Sequence, residues 1–360
     1  MPTISKGDYI LVTGASGFIA VHTVLAFLDA GYRVRGTVRS KSKGDYLVKL
    51  FTAKGHQGKF DYVLVDDITK PNAFDEAVKD IDAVAHLASP FYVSGVKDPQ
   101  ELIHPAIEGT VGVLKSVQKV NPKIKRVVIT SSFYSMINMD SNKSPYHYTE
   151  KDWNIDSPAH VEKNGVNSYG GHSYAASKTL AERAFWKFIE DEKPTWDGAT
   201  INPPYVIGAI LQECETPEKL NTSVAIFYQW AAGKKKEADL PGAPEAGSWV
   251  DVSDVALAHV RALEVPEASG QRFSTSAGAF TPQDYVDVLH KDFPDLKNVP
   301  VGKINAHDEY TKNMDFVDGS KAEKVLGIKY KSFEQTVVEM CKSGDYVLVT
   351  GASGFLGAYV

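Results

Sequence analysis

Cysteine is almost missing from this chain: Cys214 and Cys341, far apart, are the only two in 360 residues. That excludes a disulfide framework and fits a reducing compartment, so a cytoplasmic protein is expected. His and Cys do not recur at metal-ligand spacing, and no metal is expected. A run of 18 apolar residues is lacking, which removes a membrane span. The stretch from Met1 to Gly7 is short and polar ahead of the first strand, leaving no room for a secretory leader. Basic excess is lacking too: the net charge of -6 makes a poor polyanion binder, so nucleic acid is not an expected partner. Low-complexity segments and long runs of like charge are absent as well. What remains is a globular chain, 43% hydrophobic and 23% charged, whose partners are expected to be small molecules.

The chain is long enough for two domains or one large α/β unit. Short apolar runs read as strands at Tyr9 to Thr13, Tyr32 to Val38, Asp61 to Val65, Asp82 to Leu87 and Arg126 to Ser131. Helical stretches read from Gly17 to Ala30, closed by Gly31, from Pro105 to Val120, and from Ser173 to Ile189. Alternating strands and helices predict a Rossmann-type, doubly wound parallel sheet. Beyond Asn202-Pro203-Pro204 the chain becomes loop-rich, with one helix around Asn221 to Ala232. Trp249 to Ala262 reads as a strand-loop-helix piece of the sheet domain, and Thr281 to Ser343 as helical and irregular. The expected organisation is a cofactor domain of residues 1–204 plus 248–276. A smaller, discontinuous α+β substrate domain takes 205–247 plus 277–343, with the substrate in the cleft between.

Residues 344–360 form a separate tail. Gly344 to Gly357 (GDYVLVTGASGFLG) repeats Gly7 to Ala20 (GDYILVTGASGFIA), identical at eleven of fourteen positions. No second strand or catalytic pair follows it, so it cannot build a second site. It reads as the trace of a duplication; the alternative is a strand that pairs with or extends the sheet.

Thr13-Gly14-Ala15-Ser16-Gly17-Phe18-Ile19-Ala20 follows a strand and opens a helix. Gly14 permits a sharp turn, Gly17 a close approach to a pyrophosphate, and Ala20 close helix–strand packing. The helix N-terminus offers free N–H groups to phosphates. After the second strand, where an NAD site places an acid, the chain reads Thr37-Val38-Arg39-Ser40-Lys41-Ser42-Lys43. A guanidinium grips a 2'-phosphate and an acid repels it, so NADP(H) is expected, its phosphate clamped by Arg39 with Lys41 and Lys43 close by. Asp67 and Ile68 follow the third strand, where the adenine end should lie. Leu87, Ala88 and Ser89 close the fourth, small enough for the cofactor backbone to approach; His86 reads as a packing residue.

Tyr174-Ala175-Ala176-Ser177-Lys178 puts a phenol and an ammonium on one helical face. The ammonium is expected to lower the tyrosine pKa from its ordinary ~10, fitting the phenol to exchange a proton with a carbonyl oxygen. Thr130, Ser131 and Ser132 end the fifth strand, at the ligand side of such a sheet, where a serine hydroxyl can steady developing charge.

These residues resemble the extended short-chain dehydrogenase/reductase superfamily. The match is to its dihydroflavonol-4-reductase-like branch, close to the yeast NADPH-dependent reductases of methylglyoxal and other aldehydes and ketones. The likeness spans 7–343, carried by TGASGFIA, TVRS, HLASP, VVITSS, YAASK, NPPYVIG, LNTS, WVDVSDVALAH and KDFPDLK. It implies Ser132, Tyr174 and Lys178 as the catalytic set. It also implies Gly14, Ser16, Gly17, Phe18, Ile19, Arg39, Lys43, Asp67, Ile68, Leu87, Ala88, Ser89, Thr130, Pro203, Val206 and Ser223 around the cofactor, with Tyr174 and Lys178 touching it as well. Phe91, Phe133, Gly171 and Tyr205 would line the substrate pocket. The implied activity is hydride transfer to aldehydes or ketones to give alcohols, by a monomer or homodimer. Two departures stand out. Many relatives carry Asn in the helix after the fourth strand, where this chain reads Ile107-Glu108-Gly109-Thr110. Gly171 is smaller than the residue often found there, implying a roomier pocket. The alternatives are a sugar-nucleotide epimerase or dehydratase on the same fold, or a non-catalytic NADP-binding regulator. The first usually keeps an acid where Arg39 stands, or Asp-Glu after the serine where Phe133-Tyr134 stand; the second tends to lose the Tyr/Lys pair.

Overall fold

The computed structural model describes residues 3–89, 96–140, 144–240 and 245–343. In chain order the elements are β1 (Tyr9–Thr13), α1 (Phe18–Asp29), β2 (Arg33–Val38), α2 (Lys41–Ala53), β3 (Phe60–Leu64), β4 (Ala83–His86), α3 (Gln100–Val120) and β5 (Arg126–Thr130). Then come β6 (His147–Tyr148), α4 (Asp156–Asn164), α5 (Gly170–Glu192), β7 (Asp197–Asn202), β8 (Tyr205–Ile207), α6 (Thr222–Ala231), β9 (Gly247–Asp251) and α7 (Val252–Glu264). The chain closes with β10 (Gln271–Ser274), β11 (Gly278–Phe280), α8 (Pro282–Asp292), α9 (His307–Thr311), β12 (Phe316–Val317) and α10 (Phe333–Ser343).

Seven strands form one sheet, ordered β3-β2-β1-β4-β5-β7-β10, with every neighbouring pair parallel. The central strands are apolar on both faces, as parallel strands covered by helices must be. Alternation along β1 decides which core each residue enters. Ile10 and Val12 join Val24, Phe27, Val255 and Leu263 on the α1/α7 face; Leu11 joins Val113, Val117 and Phe185 on the α3/α5 face. Strand order reverses between β1 and β4, and the crevice beyond their carboxyl ends is where such sheets bind ligands. Arg126, fully buried at the start of β5, forks onto both Asp197 oxygens (2.6 and 2.9 Å) and donates to the carbonyls of Ala262 and Val265 (2.6 and 2.7 Å). One charge thereby ties β5 to β7 and to the end of α7.

Three differences from the sequence expectation matter. Lys41–Ala53 is a helix that the sequence reading did not assign, so Lys43 stands on its first turn. α3 starts at Gln100 rather than Pro105: Asp98 accepts the Gln100 N–H at 2.9 Å, and Leu102 and Ile103 bury ahead of the proline. Residues 248–276 divide between two sheets. β9 pairs with β8 and β11 in a three-stranded sheet, while α7 and β10 return to the seven-stranded one. The small sheet packs on α6, α8 and α10 through Phe227, Trp230, Trp249, Phe280 and Tyr285. Among the described residues no helix is long and apolar enough to cross a membrane. The repeated tail at 344–360 lies outside the described residues.

Candidate functional site

The ends of β1 and β4 are stitched together by one threonine. The buried Thr13 hydroxyl accepts the N–H groups of Leu87 and Ala88 (3.0 Å each) and lies 2.9 Å from His86 Nδ1. Gly14 then turns with φ +65°, and a Cβ there would stand 3.0 Å from Ala88 Cα. Conformation and space both demand glycine. Gly17 has an ordinary φ of -77°, so only its size matters: a Cβ would lie 3.3 Å from the Gly14 carbonyl. The N–H groups of Gly14 and Ala15 are spent on Thr37 (2.9 Å each), whereas those of Ser16, Phe18 and Ile19 bond to no other described residue. No acid sits in the first turn of α1. Free donors at the positive end of a helix, above a cradle that any side chain would fill, fit the pyrophosphate of a dinucleotide. Gly36, which sequence reading passed over, completes the cradle, since a Cβ there would lie 2.7 Å from that of Ala15.

Beyond β2, Arg39 and Lys43 are exposed and make no ion pair or hydrogen bond with another described residue, while Lys41 is engaged by Asp45 at 2.5 Å. Two free cations where an NAD site carries an acid suit a 2'-phosphate. Asp67 accepts the N–H and hydroxyl of Thr69 (2.9 and 2.7 Å), which hold its carboxyl below the ordinary range and fix the turn after β3. Ile68 lies against α3 where a Cβ on Gly109 would stand 2.7 Å from its Cδ1. The departure from asparagine in that helix thus coincides with close packing. Thr130 turns its hydroxyl to His259 Nε2 (2.7 Å), so its backbone and methyl are what it has left to offer a cofactor.

At the end of β5 two adjacent serines part company. Ser131 donates to Glu182 (2.5 Å), beneath the sheet end. Ser132 starts a single 3₁₀ turn, accepting the Tyr134 N–H at 3.2 Å, and shares a side-chain hydrogen bond with Tyr174. Tyr134 meets the Tyr174 ring edge-on (centroids 5.6 Å, 85°). Lys178 Nζ lies 5.6 Å from the Tyr174 ring centre and donates to Ser89 Oγ at 2.9 Å, linking α5 to the residues after β4. Tyr174, Lys178, Ser132 and Ser89 therefore converge at the carboxyl ends of β4 and β5, beside the glycine turn.

The electrostatics differ from the sequence expectation. Burial raises the Tyr174 phenol above its ordinary value, Tyr134 adds to this, and only the Ser132 hydroxyl pulls it down. The Lys178 ammonium is directed at Ser89 and lies over the ring, 5.6 Å from its centre, so burial rather than Lys178 sets the direction of the shift. Burial draws Lys178 itself down to about 8.

Behind Ser132 stands a buried network that sequence reading missed. Glu182 accepts from Ser131 and Ser135 (2.5 Å each), Asn202 (2.7 Å) and Arg272 (2.6 Å). Burial pushes its carboxyl up, but Arg272 and the serines outweigh that and leave it below the ordinary range. Asn202 also donates to the Ser132 carbonyl at 3.3 Å, and the Phe133 N–H to the Pro203 carbonyl at 3.0 Å. The signal was available: Glu182 continues the i, i+4 row begun by Tyr174 and Lys178, an acid on the buried face of α5.

The expected pocket residues are only partly brought together. Phe133 is half-buried against Met136, Tyr148 and Val317. Tyr205 stacks on Phe280 and donates to the Ser223 carbonyl (3.3 Å), tying β8, with Val206, to α6. Ser223 Oγ accepts from Asn221 at 2.9 Å. Phe91 lies outside the described residues. The roomier pocket expected from Gly171 is corrected: a Cβ there would stand 2.6 Å from the Tyr169 ring and 3.3 Å from Met139. The space a side chain would take is already filled.

Comparison with known proteins places this geometry in context. The model of the NAD dependent epimerase/dehydratase family matches residues 10–275. The ketoreductase AzaE of Aspergillus niger is 38% identical over 349 residues, covering 92% of this chain and 96% of the relative. The NADPH-dependent methylglyoxal reductase GRE2 of Saccharomyces cerevisiae is 34% identical over 338 residues, covering 91% and 95%. The solved structure of yeast methylglyoxal/isovaleraldehyde reductase Gre2 with NADPH superposes with a TM-score of 0.82 at 33% identity, covering 94% of this chain and 98% of that one.

Proposed function

The chain belongs to the NAD dependent epimerase/dehydratase family, and we propose that it is an NADPH-dependent carbonyl reductase in which Tyr174 delivers the proton and Ser132 and Lys178 hold it in place. The observation that carries the reading is the Ser132–Tyr174 hydrogen bond, with Lys178 beside it, next to a glycine turn with free N–H donors.

NADPH, when bound, supplies hydride to the carbonyl carbon. Arg39 and Lys43 hold its 2'-phosphate, and the N–H groups of Ser16, Phe18 and Ile19 its pyrophosphate. Ser132 donates to the carbonyl oxygen and Tyr174 transfers its phenolic proton to it, giving the alcohol and leaving a phenolate. The raised pKa of Tyr174 keeps the proton in place until charge builds on the substrate oxygen. The Lys178 ammonium then neutralises the phenolate, and solvent restores the proton. Tyr205 and Phe133 border the substrate side.

Loss of NADPH absorbance with a panel of aldehydes and ketones tests the reaction. Epimerase or dehydratase turnover of a sugar nucleotide would leave NADPH unconsumed. Tyr174→Phe should lower kcat by about 10²–10⁴ while NADPH binding, followed by fluorescence, is kept. Near-normal turnover by that variant would remove the phenol from the mechanism. Two cysteines far apart in the chain, with no disulfide between them, fit a cytoplasmic location, checked by imaging a fluorescent fusion. Monomer or homodimer is decided by light scattering on the purified chain.

A further inference from the structure

Lys178 is buried, and its ammonium makes no ion pair among the described residues. An ammonium carries three donors, and taking it out of water is costly unless they are met. Among the described residues it meets one hydrogen-bond acceptor, Ser89 Oγ at 2.9 Å. Glu182, one turn further along α5, is spent on Arg272 and the serines. The titratable groups beside Lys178 are Tyr174 on its own helix and His86 on β4, and burial keeps both uncharged at neutral pH. Tyr134, after β5, faces the Tyr174 ring instead. On α3, Glu101, His104 and Glu108 are exposed, and α4 brings His160 to His172, near the start of α5.

Ser89 is held where it can serve. The two residues before it, Leu87 and Ala88, both donate their N–H groups to the Thr13 hydroxyl at 3.0 Å. Thr13 ends β1 opposite His86 and leads directly into Gly14, where a Cβ would stand 3.0 Å from Ala88 Cα. The backbone ahead of Ser89 is thus pinned by the residues that shape the pyrophosphate cradle. The Lys178–Ser89 bond therefore joins α5 to the ends of β4 and β1 at a fixed point.

We propose that Ser89 is the positioning residue for Lys178, its hydroxyl supporting the buried ammonium where a counter-ion would otherwise stand. The inference rests on the reductase reading above and adds to it the group that keeps the lysine charged. A hydrogen bond accepted from a charged donor favours the charged form. Burial draws Lys178 down to about 8, and the Ser89 hydroxyl opposes a further fall. A carboxylate in that place would satisfy the ammonium but cancel the charge that the Tyr174 phenolate needs. A neutral hydroxyl supports the charge and leaves it unspent. Without that hydroxyl Lys178 loses its proton at a lower pH, and the phenolate formed in each turnover goes unneutralised there.

The test compares Ser89→Ala and Ser89→Thr with the unaltered full-length chain in two measurements. One is the pH profile of kcat/KM for NADPH-dependent reduction of a small aldehyde. The other needs no turnover: the ¹³C shift of Lys178 Cε, titrated in cofactor-free protein carrying labelled lysine and assigned by its loss in Lys178→Arg. Losing a hydrogen bond to a charged group moves a pKa by about 1–2 units. In Ser89→Ala the alkaline bend and the Cε midpoint should both move down from about 8 by that amount. At a pH near 8 this is about a 5–50-fold loss of kcat/KM. Ser89→Thr keeps the hydroxyl and should hold both values near those of the unaltered chain. A merely structural role would lower the rate at every pH and leave the midpoint in place. A bend and midpoint unmoved in Ser89→Ala overturn the assignment, as does an equal shift in Ser89→Thr. If the unaltered chain consumes no NADPH with any carbonyl, the reductase reading fails on its own, while the Cε titration still decides the role of Ser89.

Discussion

The two ends of the cofactor crevice are built on opposite principles. At the reacting end Ser132, Tyr174 and Lys178 are packed in, and a buried ion pair, Glu182–Arg272 at 2.6 Å, braces the strand end behind them. At the other end Arg39 and Lys43 stand in solvent with no protein partner among the described residues. Chemistry requires atoms fixed to a fraction of an ångström, which packing and satisfied hydrogen bonds provide. Choosing between NADPH and NADH requires only charge of the right sign, which exposed side chains provide without cost to the core. Damage at the first end should therefore appear in folding and kcat, and damage at the second in cofactor affinity alone.

The sharpest way to break that contrast is Glu182→Gln. It leaves the Arg272 charge buried and unpaired, and losing one partner of such a pair costs about 3–5 kcal/mol. Denaturant unfolding should show that loss, and kcat should fall with it because Ser131, Ser135 and Asn202 all lean on this carboxylate. If stability and kcat both stay put, the network is not the brace described.

Next in size is Arg39→Asp. Losing a charge-assisted contact costs about 1.5–3 kcal/mol, so NADPH affinity should fall roughly 10–100-fold. NADH affinity should change little and Tm not at all. Equal weakening of both cofactors would mean that Arg39 serves the shared part of the molecule.

The same contrast governed what could be read in advance. The strand–glycine–helix unit, the doubly wound sheet and the Tyr174/Lys178 row are local patterns, and local patterns survive in sequence. Glu182, Asn202 and Arg272 come from α5, β7 and β10, and only the fold brings them together. β9 was legible as a strand but not as a member of the small sheet, since pairing partners are not encoded in its own residues. The direction of the Tyr174 shift failed for a related reason. The spacing shows that Lys178 shares a face with the phenol, but not that its ammonium turns to Ser89 while burial dominates.

That burial makes a pH prediction of intermediate size. With its folded pKa lowered from 10.5 to about 8, Lys178 is charged below that value and loses its proton above it. Tyr174, shifted upward, stays protonated across the same range. The alkaline limb of kcat/KM should therefore bend near 8 and drop about tenfold by one unit higher. Lys178→Arg, which keeps its proton, should flatten the limb whatever it does to the maximum. A limb unchanged in that variant would assign the titration elsewhere.

The smallest effect is expected at Gly171, where packing and propensity oppose each other. It sits in the first turn of α5 with an unremarkable backbone, so alanine introduces no strain there and gains up to about 1 kcal/mol of helix propensity. Against this, the new Cβ meets the Tyr169 ring at 2.6 Å, and overpacking of that kind costs about 1–3 kcal/mol. Tyr169 is exposed and swings outward more cheaply than core residues shift, so the two terms nearly cancel and Tm should move by only a few degrees. On the reading that Gly171 lines the substrate pocket, the reductase should register the change through KM for bulky ketones, with kcat for small aldehydes preserved because Ser132 and its brace are untouched. A large loss of kcat on every substrate would show that the border and the braced centre are one rigid unit, and the division between the two ends of the crevice would have to be redrawn.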